Sequence, residues 1–287
     1  MNTLSDFSHR GVQELEVASG KRFPFGKNWH FFLRFLDESR IAEAEMSLRT
    51  MLDTDSLTGN SFLDIGCGSG LFSLAAMRMG AEKVHSFDYD PLSVACAQEL
   101  KRRYYPEANR WMIEQGSVLD ASYFTSLGIY DVVYSWGVLH HTGDMWGALR
   151  SVAPRVANGG RLFIALYNDQ GVKSQLWKKV KALYNRVPAS RLLIIPIFVA
   201  GFAATAAASD LLFKRKNPLI RYRQYRNLRG MAFIPDVLDW LGGYPFEVAK
   251  PATIIQFFHK LGFKPAKIRT VDGKLGNNEY VFQACAE

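Results

Sequence analysis

Short apolar runs alternate with helix-period stretches through the middle of the chain. Phe62–Ile65, Lys83–Phe87, Trp111–Glu114, Tyr130–Trp136 and Arg161–Tyr167 read as strands. Residues 71–79, the stretch behind Pro91 and residues 143–157 repeat their apolar positions at helical spacing, with Gly80 as a C-cap and Pro91 at a helix start. Tyr130–Trp136 is nearly continuous in apolar character after Asp131, as a strand buried on both faces is. Strands alternating with helices predict a doubly wound, mainly parallel α/β sheet. The ending differs: a helix over Thr253–Leu261 precedes strands at Lys264–Val271 and Glu279–Ala284. The seven residues between those strands are too few for a parallel crossover, so the last strand is expected to be antiparallel in a seven-stranded sheet.

The flanks follow other patterns. Residues 1–27 read as irregular or weakly helical, whereas Asn28 to about Leu52 repeats apolar residues as one or two amphipathic helices. After the fifth strand comes an insertion, opening with a helix over Val172–Val187. Leu192–Ala208 then runs for seventeen residues without a charge, between Arg191 and Lys214-Arg215-Lys216, and Arg221-Tyr222-Arg223-Gln224-Tyr225-Arg226 follows. The chain thus divides into a helical cap (1–58), a core (59–168), a basic and mainly helical insertion (169–250) expected to cap the substrate side, and a closing unit (251–287).

Composition adds little until charge is located. The 287 residues are 48% hydrophobic and 22% charged, as in an ordinary soluble protein. The net charge is +8, yet Asp169–Gly230 holds thirteen Lys or Arg against two acids, a net of +11 that leaves −3 for the remainder. The basicity belongs to the insertion. Three cysteines, Cys67, Cys96 and Cys285, show no metal-ligand spacing, which points to a reducing compartment with neither disulfide nor metal site. No charged and apolar leader pattern opens the chain, so a cytoplasmic location is expected, with membrane association through the insertion as its variant.

Chemistry concentrates where the first strand meets its helix. Ser61-Phe62-Leu63-Asp64-Ile65-Gly66-Cys67-Gly68-Ser69-Gly70 is a strand, a glycine turn and a helix start, the elements of a nucleotide pocket at the carboxyl edge of a parallel sheet. A dinucleotide fingerprint needs G-x-G-x-x-G, whereas the spacing here is Gly66-x-Gly68-x-Gly70 with Asp64 two residues ahead. Asp88, at the end of the second strand, can accept hydrogen bonds from both hydroxyls of a ribose.

Leu63–Gly70 resembles motif I of the class I S-adenosylmethionine (SAM) methyltransferases, and Gly116-Ser117-Val118, Tyr130–His141 and Ala157–Leu162 are similar to that family's later segments. The resemblance covers about residues 60–167. It implies a Rossmann-like methyltransferase fold with SAM as cofactor, held by Asp64, Gly66, Cys67, Gly68, Gly70, Asp88, Tyr89, Ser117, Val118 and Ser135. In such sites the glycine backbone faces the methionine end, the acid at Asp64 orients the loop or the ammonium group, and Tyr89 flanks the adenine. Ser117 stands where the family commonly carries an acid, leaving the adenine amine to the Val118 backbone or to Asp120.

Methyl transfer asks the protein to align the reactants and exclude water, and a hydroxyl nucleophile also needs a base. His140 and His141, where the fourth strand opens toward the methyl group, are the candidates, with nothing to choose between them. Trp136, Tyr167, Asn168 and Tyr244 are candidate acceptor contacts. Phe23–Trp29 and Trp240–Glu247 have the small and aromatic residues of loops that close on a ligand. No Asn/Asp-Pro-Pro-Tyr/Phe tetrapeptide follows the fourth strand, no cysteine suits pyrimidine attack, and no paired-glutamate loop of the protein-arginine type is present. The Val138-Leu139-His140-His141 style is similar to that of the ubiquinone-pathway and other small-molecule methyltransferases, and also to that of the tRNA-wobble carboxymethylating relatives. The expectation is O-methylation of a small or lipid-like acceptor. The alternatives are an RNA-modifying enzyme using the basic insertion, or a SAM-binding protein without transfer activity. The uncharged run has three readings: a membrane span, a lid on the cleft, or an interfacial helix giving peripheral membrane contact through 191–216.

Overall fold

The computed structural model describes residues 3–212 and 233–285. Seven strands, β1 (Ser61–Ile65), β2 (Lys83–Asp88), β3 (Trp111–Gln115), β4 (Tyr130–Trp136), β5 (Val156–Tyr167), β6 (Phe263–Arg269) and β7 (Asn277–Ala284), form one sheet in the order β3-β2-β1-β4-β5-β7-β6. The first five are parallel, and β7 runs antiparallel to both β5 and β6. This is the Rossmann-like methyltransferase arrangement. From β1 the chain winds outward through β2 and β3, then returns to place β4 on the other side of β1. That reversal opens a crevice at the carboxyl ends of β1 and β4.

Alternation along each strand feeds two cores. Phe62, Val132 and Phe163 join the cluster under α3 (Glu38–Leu52), α4 (Leu71–Arg78) and α5 (Pro91–Tyr104). Their neighbours Leu63, Val133, Leu162 and Ile164 face the opposite cluster, under α7 (Met145–Val152) and α11 (Pro251–Lys260). Several helices start on an aspartate that accepts a backbone N–H: Asp37 before α3, Asp90 before α5, Asp120 before α6 (Ala121–Ser126) and Asp144 before α7.

The N-terminal segment is more ordered than its pattern predicts. Residues 3–18 form α1, and Phe25–Phe32 form α2. The stretch 143–157 is not one helix, because Pro154 sits in a 3₁₀ turn after α7 and β5 already begins at Val156, with a register shift opposite Tyr130 and Val132. In the insertion α8 (Val172–Arg186) and α9 (Arg191–Leu212) meet at a 3₁₀ corner over Pro188–Ser190, and α10 (Phe233–Gly242) packs against both. The basic runs at 214–216 and 221–226 lie outside the described residues.

Asp90 joins two of these regions. Its Oδ1 caps α5 through the Leu92 N–H at 2.9 Å, while its Oδ2 accepts the N–H of Gly26 in α2, also at 2.9 Å. Asp90→Ala removes both bonds. It is expected to lower the unfolding free energy by about 1–3 kcal/mol in urea titrations. Amide exchange should rise at Gly26 before it rises in the sheet.

Candidate active site

A cavity of about 320 Å³ opens in the crevice. Its floor is the β1 loop. Gly66 and Gly68 have φ of +72° and +55°, and a Cβ on Gly66 would lie 2.4 Å from Val138. A Cβ on Gly68 would lie 2.8 Å from the Trp29 indole, so the loop accepts backbone contact on one side and an aromatic lid on the other. Asp88 ties the loop to β2: its Oδ2 accepts the Gly68 N–H and its Oδ1 the Asp90 N–H, each at 2.9 Å. Burial raises its carboxyl to about 6, against those two hydrogen bonds.

Asp64 is buried more deeply. Its Oδ2 accepts the Ser73 hydroxyl at 2.5 Å, Ser73 meets Ser86 at 2.7 Å, and the Trp111 indole N–H donates to Ser86 at 2.9 Å. Desolvation pushes the Asp64 carboxyl up to about 7 despite the Ser73 bond. Asp64 and Asp88 both line the cavity, and among the described residues neither has an ion-pair partner. A ligand that brings a cation to one and hydroxyls to the other fits this donor set.

At the β4 end, Leu139–His141 form a 3₁₀ turn. His141 lines the cavity, and its Nδ1 lies 2.6 Å from the Pro245 carbonyl oxygen. A carbonyl only accepts, so Nδ1 carries the proton and Nε2 presents a lone pair. Burial pushes the imidazole down to about 3, opposed by the Pro245 bond, and the ring stays neutral. His140 lies behind it, fully buried between His141 and Tyr167, with ring centroids 4.4 and 4.0 Å away. Neither of its ring nitrogens makes a well-formed hydrogen bond, and burial pushes its pKa down strongly. The structure therefore separates two histidines that are equivalent by sequence.

Of the remaining candidates, Cys67, Tyr89, Ser117, Val118, Trp136 and Tyr167 line the cavity. Gly70, Ser135, Asn168 and Tyr244 do not, each for a structural reason. A Cβ on Gly70 would meet Ala97 at 2.9 Å, where α4 crosses α5. Ser135 is fully buried and donates to the Ile65 carbonyl at 3.0 Å, joining β4 to β1. Asn168 donates to the Lys274 carbonyl and accepts from Asn278, which locks the end of β5 to the loop before β7. Tyr244 accepts from Arg186 through its hydroxyl and from the Phe23 N–H through its carbonyl.

The roof comes from the N-terminus. Gln13, Arg22, Phe23, Phe25 and Trp29 line the cavity, and among the described residues none of 169–250 does. The aromatic stretch Phe23–Trp29 is legible as a closing loop, whereas Gln13 and Arg22 carry no local signal. Arg22 donates to the carbonyls of His141 at 3.0 Å and Thr142 at 3.3 Å, pairs with Glu16 at 2.8 Å and lies 4.7 Å above the Tyr89 ring.

Residues 63–162 match a family model described as a methyltransferase domain. Over 130 residues the chain is 33% identical to a ubiquinone biosynthesis O-methyltransferase of Escherichia coli, covering 45% of this chain and 51% of that one. Over 135 residues it is 31% identical to a ribosomal protein L11 methyltransferase of Methylococcus capsulatus, covering 47% and 41%. The chain spans about half or less of the length of these curated relatives. The crystal structure of magnesium protoporphyrin IX methyltransferase from Synechocystis PCC 6803 with bound SAH superposes with a TM-score of 0.51, at 15% identity, over 85% of this chain and 83% of that one. That likeness is one of fold.

The Asp64 carboxyl gives a pH signature. Its pKa rises on folding from the ordinary value near 3.8 to about 7, so the native state binds the extra proton between those limits and the stability it confers is lost as pH rises. Across pH 4–7 the native protein should lose up to about 1.4 kcal/mol per pH unit relative to Asp64→Asn. Urea titrations of both proteins at pH 5 and pH 8 measure this; equal pH dependence contradicts the assignment.

Proposed function

On a chain that carries a class I SAM-dependent methyltransferase domain, we propose an O-methyltransferase acting on a small or lipid-like hydroxyl acceptor. The carrying observation is the His141 imidazole, which lines the cavity and whose Nδ1 proton is engaged by the Pro245 carbonyl, so that Nε2 is the unprotonated nitrogen. SAM supplies a sulfonium-activated methyl group that leaves with its bonding electrons going to sulfur. The residues present fit that donor: Asp64 offers a buried carboxyl whose ionised form an ammonium group would favour, and Asp88 offers acceptor positions for the ribose hydroxyls. The Gly66–Gly68 backbone lies between them.

With SAM bound, His141 would accept the acceptor's hydroxyl proton at Nε2. The ring is neutral before the step, and its low basicity in the empty cavity keeps it so at every working pH. Accepting the proton becomes favourable as negative charge develops on the oxygen within a water-excluded wall. Phe23, Phe25, Trp29, Phe72, Trp136 and Tyr167 make that wall largely aromatic, which suits a flat or apolar acceptor. Arg22 acts as a positioning residue, because its two carbonyl contacts hold the turn that carries His141.

Isothermal titration with SAM tests the donor half. Asp88→Ala is expected to weaken binding by about 10- to 100-fold, the loss of hydrogen bonds to a charged acceptor; unchanged affinity overturns the donor site. S-adenosylhomocysteine formation with a panel of catechols and hydroquinones tests the acceptor half. There His141→Ala should lose about 10²- to 10⁴-fold in turnover while keeping SAM affinity within about threefold. Full turnover in His141→Ala removes the base.

A further inference from the structure

The α8–α9 hairpin exposes more apolar surface than a solvated insertion requires. On α8, Val172, Leu176, Leu183 and the C-cap Val187 are exposed and fall on one face, at spacings of four, seven and four. On α9, Leu193, Ile197, Ala200, Ala204, Ala208 and Leu211 are exposed along one stripe at spacings of three and four. Only 6% of residues 188–205 is buried. Contiguous apolar surface of this extent marks a membrane or partner contact.

The other side of the hairpin is committed. Ile194, Phe198 and Phe202 of α9 pack with Trp177 of α8 and Trp240 of α10, with ring centroids 5.2 Å apart for Trp177–Phe198 and 5.3 Å for Phe202–Trp240. A helix of 22 residues is long enough to cross a bilayer, but its inner face is held by that aromatic cluster, so the outer stripe alone is available. The helix can therefore lie along a bilayer surface.

Charge identifies the surface. α8 carries five basic residues and no acid, and Lys173, Lys178, Lys179 and Arg186 are exposed. Exposed apolar stripes edged by cations are the pattern of helices that settle into the headgroup boundary of anionic bilayers. We propose that the α8–α9 hairpin docks the protein on an anionic lipid surface, its apolar stripes among the acyl chains and its lysines at the headgroups. The cluster beneath is continuous with the cavity: Phe23 belongs to both and is pressed so closely on Gly242 that a Cβ there would lie 2.0 Å from its ring. The apolar cluster beneath the hairpin thus adjoins the cavity wall. The docking surface is independent of the transfer chemistry.

Flotation of the full chain with vesicles of phosphatidylglycerol and phosphatidylcholine in equal parts, and of phosphatidylcholine alone, tests it. The protein should float with the mixed vesicles at least tenfold more than with neutral ones, and the preference should shrink in high salt. The double variants Leu193→Asp/Ile197→Asp and Lys178→Glu/Lys179→Glu should each lose at least tenfold in partition, with SAM affinity unchanged as the sign of an intact fold. No flotation, or flotation indifferent to both variants, overturns the proposal. So does a mass doubling in solution that Leu193→Asp/Ile197→Asp abolishes, since the stripe would then pair two copies. Loss of SAM binding by the unaltered protein would instead count against the donor site and leave the docking result standing.

Discussion

One carboxylate holds the site together. Asp88 accepts the N–H of Gly68 on one oxygen and that of Asp90 on the other, and Asp90 in turn accepts the N–H of Gly26. The glycine loop, the end of β2, the start of α5 and the N-terminal cap are thereby joined by three hydrogen bonds running through two acids that flank Tyr89. Each partner is a backbone group, so the arrangement depends on where the loop and helix start rather than on which side chains surround them. Charged acceptors make the stronger hydrogen bonds in proteins, and Asp88 makes these at the wall of the cavity.

The two acids also explain an asymmetry in the cavity. Asp64 and Asp88 stand on adjacent parallel strands, both desolvated and both raised above ordinary carboxyl values. A protein that only needed stability would not hold two acids in that state. Their cost is offset when a ligand brings positive charge and hydroxyls between them, and the same logic applied to the opposite wall accounts for a neutral His141 beside aromatic rings. The cavity is acidic at one end, aromatic at the other, and closed by a segment from the start of the chain.

Much of this was legible in the residues, and the division is physical. The strands could be read because each is a short apolar run bounded by turns, and the antiparallel ending because seven residues cannot carry a crossover. The glycine loop, Asp64 and Asp88 could be placed because their spacing follows from strand, turn and helix. Arg22 could not, because its meaning lies in the carbonyls of His141 and Thr142, about 120 positions away. Ser135 is placed by the family resemblance alone, and in the fold its hydroxyl donates to the Ile65 carbonyl and is not part of the cavity lining. His140 and His141 are neighbours in sequence, and the 3₁₀ turn alone sends one ring into the cavity and the other behind it.

The place of β7 has a consequence for the making of this chain. It lies between β5 and β6, inside the sheet, although it is the last strand in sequence. Until residues 277–284 have left the ribosome, β5 presents an unpaired edge, and β6 has no strand on which to dock. The donor loop, both acids and the N-terminal cap are all synthesised before that moment. A nascent chain therefore holds most of its site in a half-finished sheet, and its exposure to wrong strand partners ends only when β7 pairs between β5 and β6.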